Sequence, residues 1–142
     1  MTVPNTSSTN PTDGGETTAE TGETADTAEM VTYADVEAIW TGTEGSCVAG
    51  CHTAGGTGDS LTMLILTPGM GYAELVGPMA NQLPSMPLVT PGNPSMSYLW
   101  HKLDGTQQQV GGSGILMPQG RPKLPEAQLA IVKAWIEGGA LP

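Results

Sequence analysis

The sequence contains no phenylalanine, few basic residues and no long apolar run. Its 142 residues include three tryptophans and three tyrosines, so aromatic side chains for a core are scarce. The chain has only four lysines and arginines but 14 aspartates and glutamates, which gives a net charge of −10. This charge argues against a nucleic-acid partner. No apolar run approaches the ~20 residues that a membrane-spanning helix needs, so we expect no transmembrane segment.

Residues 1–29 lack every large apolar residue except Met1 and Val3. They are mostly Thr, Ser, Gly, Pro, Ala and acid, with six acids and no base. Such a stretch cannot bury enough apolar surface to offset the entropy lost on ordering. We therefore predict a disordered acidic tether over 1–29 and one compact domain over 30–142, in which eight acids face four bases.

The apolar spacing of the domain predicts an all-α fold of short helices and long ordered loops. Helices are expected over 33–40, around 71–76, over 95–103 and over 125–137. Residues 61–66 are apolar but too few to assign, and prolines predict an irregular, partly extended chain over 84–94. Residues 105–124 are rich in Gly, Gln and Pro and are predicted to form a long loop around Met117.

The sharpest chemical pattern is the segment from Cys47 to His52, which contains both cysteines of the chain. A c-type haem attachment site commonly has two residues between its cysteines, followed at once by a histidine; here the cysteines are separated by three. The thiols form thioethers with the haem vinyl groups and the histidine binds iron. The extra residue leaves the relation between Cys51 and His52 unchanged, and on a helix a spacing of four still returns Cys47 to the same face. Gly50 is placed to absorb the distortion.

Two other interpretations of this segment remain open from spacing alone. A Cys47–Cys51 disulfide would staple the chain without any haem, because residues four apart on a helix lie within bonding range. Zinc bound by Cys47, Cys51, His52 and a fourth ligand is the other, although adjacent Cys51 and His52 fit structural zinc spacing poorly.

Further motifs along the domain resemble the small single-haem domains of the class I cytochrome c superfamily, of a kind frequent in exported bacterial proteins. The matching segments are 33–36 (YADV), 72–77 (YAELVG), 89–94 (VTPGNP), 97–103 (SYLWHKL), 116–118 (LMP) and 132–140 (VKAWIEGGA). They cover most of the domain in the expected order. The chain departs from the family in the CxxxCH spacing and in an insertion over 41–45.

The resemblance implies a cytochrome c-like fold around one covalent haem c, held by Cys47 and Cys51 through thioethers. His52 and Met117 would be the axial ligands of the iron; Met86 and His101 are the alternatives to Met117. The first and last helices should cross.

We expect Tyr98, Trp100 and Trp135 to wall the haem pocket, with ordinary core packing as the alternative role for each. The expected function is electron transfer between redox partner proteins rather than enzymatic catalysis, because two axial ligands leave no coordination site for a substrate. The alternative is a haem-free interaction module stapled by a Cys47–Cys51 disulfide.

Such a protein would work outside the cytoplasm, in the periplasm or at the cell surface. The chain shows no signal sequence, so export, and any membrane tethering, would depend on an N-terminal signal that the chain does not contain.

Overall fold

The computed structural model describes residues 29–42 and 47–142, which form five short α-helices, a 3₁₀ turn and a two-stranded hairpin. In chain order these are α1 (Tyr33–Thr41), α2 (Thr57–Thr62), α3 (Gly71–Leu75), β1 (Met79–Ala80), β2 (Leu83–Pro87), the 3₁₀ turn (Pro94–Met96), α4 (Tyr98–Asp104) and α5 (Glu126–Glu137). Helices are the main elements, but with the hairpin the described chain is not clearly all-α. Apart from Glu29, the predicted tether 1–29 lies outside the described residues, as does most of the predicted insertion.

The first and last helices, α1 and α5, pack against each other and form the centre of the core. The N–H of Thr32, just before α1, donates to the Asp35 carboxylate at 2.9 Å, which satisfies one otherwise unpaired group near the helix start. The apolar residues of each helix recur on one face, so Val36 and Trp40 from α1 and Trp135 from α5 share one core cluster with almost no exposed surface. That the two helices cross, as the cytochrome resemblance implies, stays a prediction.

An aromatic cluster and the C-terminal residues close this part of the core. Tyr33, Tyr72 and Trp135 meet edge to face or tilted, with ring centroids 5.5 to 6.5 Å apart. The carbonyl of Leu141 accepts from the backbone N–H of Tyr33 at 3.0 Å and from Trp135 Nε1 at 2.7 Å. The residues after α5 therefore tie both helices together.

The hairpin is where the prediction of irregular chain was incomplete. Strands β1 and β2 are antiparallel, with Ala80 opposite Leu83 and Met79 opposite Pro87. Pro84 and Pro87 are tolerated because β2 has a single partner strand and needs few ladder hydrogen bonds from its own N–H groups.

Two helix boundaries differ from the sequence prediction. The helix predicted from Ser95 is divided into the 3₁₀ turn and α4, which begins after Ser97 because the Ser97 side chain bonds back to the Asn93 carbonyl at 2.8 Å. Met96, within the predicted helix, lies in the 3₁₀ turn and is 46% exposed. Helix α2 was not predicted; it begins within the glycine-rich stretch 55–58, and residues 63–67 after it run without regular structure.

None of the helices in the described ranges is both long enough and apolar enough to cross a membrane, as we expected from the lack of a long apolar run.

Candidate haem-binding site

The segment from Cys47 to His52 is a series of turns rather than the helix assumed in the spacing argument. The N–H of Cys47 donates to the Trp40 carbonyl at 3.1 Å, and the N–H of His52 donates to the Cys47 carbonyl at 2.9 Å. Between them Gly50 has φ +74°, in the left-handed region that glycine adopts without steric cost. The longer loop between the cysteines is therefore accommodated by one left-handed glycine, and Cys47, Cys51 and His52 all line one cavity.

His52 is buried and its ring orientation is fixed by one hydrogen bond. Nδ1 lies 2.9 Å from the Leu64 carbonyl, which only accepts, so Nδ1 carries the proton and donates. Nε2 is then the nitrogen with a free lone pair, and it has no hydrogen-bond partner among the described residues. A metal-binding histidine is oriented in this way when its other nitrogen bonds a backbone carbonyl.

Gly58 gives the His52 ring the space it occupies. A Cβ added at residue 58 would lie 2.6 Å from Nδ1 and 2.7 Å from Cε1 of the ring. The N–H of Leu66 also donates to the His52 carbonyl at 2.8 Å. The ring is thus held by close packing on one side and by residues 64–66 on the other.

Both cysteines are free thiols in this structure, Cys47 buried and Cys51 partly exposed. Burial raises the pKa of the Cys47 thiol to about 11; the neighbouring Cys51 adds to this rise and Arg121 opposes it. Cys47 is accordingly a neutral thiol at physiological pH. The predicted alternative of a Cys47–Cys51 disulfide remains a prediction.

The cavity is an apolar cleft of about 1050 Å³, including the space at its open mouth. Leu64 and Leu66 extend the wall that carries His52, and Leu99 and Leu103 from α4 contribute to the lining of the same cavity. Its lining is mostly apolar, which suits a cofactor with an apolar body.

Met117 also lines this cavity and packs against the core. Its N–H donates to the carbonyl of Lys102 in α4 at 2.9 Å, which fixes the predicted loop around it. The loop is held further by an ion pair of 2.7 Å between Lys123 and Asp104 at the end of α4. The structure therefore brings together all four residues predicted to hold the haem: Cys47, Cys51, His52 and Met117.

The two alternative axial ligands lie elsewhere. Met86 is buried in a small apolar cluster with Ala80 and Tyr98 and does not line the cavity. Both ring nitrogens of His101 are engaged, Nδ1 with Thr106 Oγ1 at 2.7 Å and Nε2 with the Ser95 carbonyl at 2.9 Å. Neither residue lines the cavity, as Met117 does.

Only one of the three aromatic residues predicted to wall the pocket lines it. Tyr98 does, and its hydroxyl donates to the Ser113 carbonyl at 2.7 Å. Trp135 instead fills the core between α1 and α5, and Trp100 lies on the outer side of α4 with the Lys133 ammonium 6.0 Å from its ring centroid. Trp40 of α1, which was not among these predicted residues, lines the cavity as well.

Sequence reasoning missed the polar lining residues Lys102, Gln82 and Arg121. Lys102 is only 7% exposed, and burial lowers the pKa of its ammonium group below the ordinary value. One signal was present: Lys102 follows Leu99 by three residues and so shares the inward face of α4. Gln82 lies in the hairpin turn, where the sequence carries no comparable signal.

The donor set fits a c-type haem better than it fits zinc. An apolar cleft with a free imidazole nitrogen, a thioether sulfur and two thiols offers the ligands and attachment points of such a group. In the described part of the chain, no three or more His, Cys, Asp or Glu side chains are arranged to hold a metal ion, so the zinc arrangement has no support.

Comparison of the chain with protein-family models, with curated proteins and with solved structures gave no match. The functional argument therefore depends on the geometry of this cavity.

Proposed function

We propose that this protein is an electron-transfer protein that carries one covalently attached c-type haem. The observation that carries the proposal is the position of His52. Its Nδ1 is tied to the Leu64 carbonyl, which leaves Nε2 as the coordinating atom in a cavity that also holds Met117 and both cysteines. A packed core alone has no need of a buried histidine held in this way.

Each residue then has a defined task. Cys47 and Cys51 attach the group through thioethers, and His52 and Met117 coordinate its iron. Leu64, together with the leucines of α4, keeps water away from it. The haem supplies one-electron chemistry, and a histidine–methionine ligand pair favours a higher reduction potential than two nitrogen ligands do.

No enzymatic activity is part of the proposal, because His52 and Met117 would both bind the iron and leave no place on it for a substrate. The proposed partners are other redox proteins, which exchange electrons with this domain outside the cytoplasm.

The first test is the absorption spectrum of the protein exported from cells able to attach c-type haem, before and after dithionite. We expect sharp reduced bands that stay with the protein through acid–acetone extraction, and a pyridine haemochrome typical of thioether attachment. After both cysteines are replaced by serine, no haem should stay with the protein through the extraction. A colourless wild-type protein without free thiols would instead identify the disulfide-stapled interaction module.

The axial methionine is tested by a matched pair of variants in the same protein. Met117→His should keep the haem but lose the weak far-red band of methionine-ligated ferric iron, with a lower midpoint potential because a nitrogen ligand stabilises the ferric form. Met86→Leu should keep both the band and the potential, since Met86 lies outside the cavity lining. Loss of the band in Met86→Leu alone would reverse the assignment.

A further inference from the structure

Lys102 is a buried cation without a carboxylate partner in the described chain. Its side chain lines the cavity and is 7% exposed, and Nζ donates to Oε1 of Gln82 at 2.8 Å. The ion pairs found among the described residues involve Lys123 and Lys133 instead. Among the residues that the structure describes, the Lys102 ammonium therefore bonds only to a neutral amide.

The surroundings hold this ammonium group in place. Gly114, at φ +81°, lies so close that an added Cβ would be 2.6 Å from Lys102 Nζ and from the Gln82 amide. The preceding Ser113 donates from Oγ to the Gln82 carbonyl at 3.4 Å and accepts from the Tyr98 hydroxyl. The loop therefore closes over Lys102 and Gln82 and restricts the side chain to the cavity wall.

Burying an ammonium group without a counter-ion is costly, since it gives up hydration that a single neutral acceptor does not replace. An anionic group inside the cavity would offset this cost by a charge-assisted hydrogen bond. The other cation of the lining, Arg121, is exposed and lies near Cys47, at the end of the cavity where attachment would occur. Haem carries its two carboxylates on the half of the macrocycle away from its vinyl groups.

We propose that Lys102, together with Gln82, binds a propionate carboxylate of the haem. This inference rests on the proposed function and assigns to the cavity a subsite for the anionic edge of the cofactor. It also gives the haem one orientation, because only one edge of the group can satisfy the buried ammonium.

The test is resonance Raman spectroscopy of the haem-loaded protein, in which the propionate bending band reports hydrogen bonding to the carboxylate. Lys102→Met keeps the length of the side chain and removes its charge, so we expect this band to shift. We also expect the midpoint potential to fall, because loss of a nearby cation favours the ferric state. Lys133→Met, which removes a 49% exposed lysine of α5, should leave the propionate band unchanged.

A second variant covers the case in which Lys102→Met does not fold. Gln82→Glu supplies a carboxylate beside Lys102, which should compete with the propionate and shift the same band. A loaded protein whose band is unchanged in the variants that fold would overturn the subsite while leaving electron transfer intact. A wild-type protein that attaches no haem would overturn both proposals.

Discussion

The two halves of the domain differ in how their interior is filled. Protein side chains fill the closed half, around Trp135, whereas they leave an apolar cavity in the cavity half, around His52. Trp135 is fully buried between two tyrosines, and its indole N–H has a backbone partner at 2.7 Å. His52 and Lys102 are also buried, each 7% exposed, yet the free nitrogen of His52 and the ammonium group of Lys102 border an apolar cavity. The proposed haem would complete the half of the molecule that borders the cavity, as Trp135 completes the other half.

The largest effect is expected from Trp135→Ala in the closed half. The substitution leaves a cavity in the core and removes the bond to the Leu141 carbonyl. We expect the free energy of unfolding of the haem-loaded protein to fall by about 3–5 kcal/mol, measured by urea titration. The haem spectrum of the fraction that stays folded should match that of the wild type, because Trp135 does not line the cavity.

Trp100→Ala is the matched control for this substitution. Trp100 is the same residue type on the outer side of α4 and is only partly buried. Its loss should cost less than half as much as the loss of Trp135. Equal losses for the two variants would contradict the division between a closed core and the rest of the domain.

The closed half was largely predictable because its information is local. Apolar residues spaced by three and four mark α1 and α5, and Thr32, Pro125 and Gly138 mark their ends close to where the structure has them. The hairpin escaped prediction because its strands have two and five residues, and two of these are prolines.

The residues of the candidate site that could be predicted from the sequence are the four proposed to hold the haem and Tyr98. Cys47, Cys51 and His52 form a compact motif, and Met117 stands in a loop that the resemblance singled out. The hydrogen bond from His52 to the Leu64 carbonyl joins residues that are 12 positions apart, so no local sequence pattern predicts it. The start of α4 at Tyr98 was missed for a similar reason, because the bond from the Ser97 side chain to the Asn93 carbonyl leaves no sign in the apolar periodicity.

The next largest effect is expected from the Tyr33 hydroxyl. Unlike the indole N–H of Trp135, this polar group of the closed half has no partner in the described part of the chain. It is buried without a hydrogen-bond partner among the described residues. Burial raises the pKa of Tyr33 from 10.0 to about 12, the Glu37 carboxylate adds to this, and the nearby Trp40 indole slightly opposes it. Below pH 10 both folded and unfolded chains keep the proton; above it the unfolded chain ionises first. Stability should therefore fall by about 2–3 kcal/mol between pH 10 and 12.

Urea titrations from pH 8 to 12 test this with two tyrosine variants. Tyr33→Phe should remove most of that pH dependence and be no less stable than the wild type at pH 8, because it deletes an unpaired hydroxyl. Tyr98→Phe, on the cavity side, should be less stable at pH 8 by about 0.5–1.5 kcal/mol, since it loses the bond to Ser113. A pH profile of Tyr33→Phe identical to that of the wild type would locate the titrating group elsewhere.

The smallest effect is expected from replacing a left-handed glycine. Gly50 lies between the two cysteines, and Gly55 lies just after His52. Gly50 (φ +74°) and Gly55 (φ +76°) are both exposed and have nothing within 4 Å of an added Cβ. Alanine at either position should cost about 1–2 kcal/mol, because only the left-handed backbone is penalised. Only Gly50→Ala should also lower the fraction of protein with both thioethers, measured by mass spectrometry and the pyridine haemochrome, since Gly50 alone sets the path from Cys47 to Cys51. Equal thioether attachment in the two variants would mean that the extra residue is accommodated without the left-handed turn at Gly50. The bond between His52 and Leu64 would then be what sets the geometry of the cavity half.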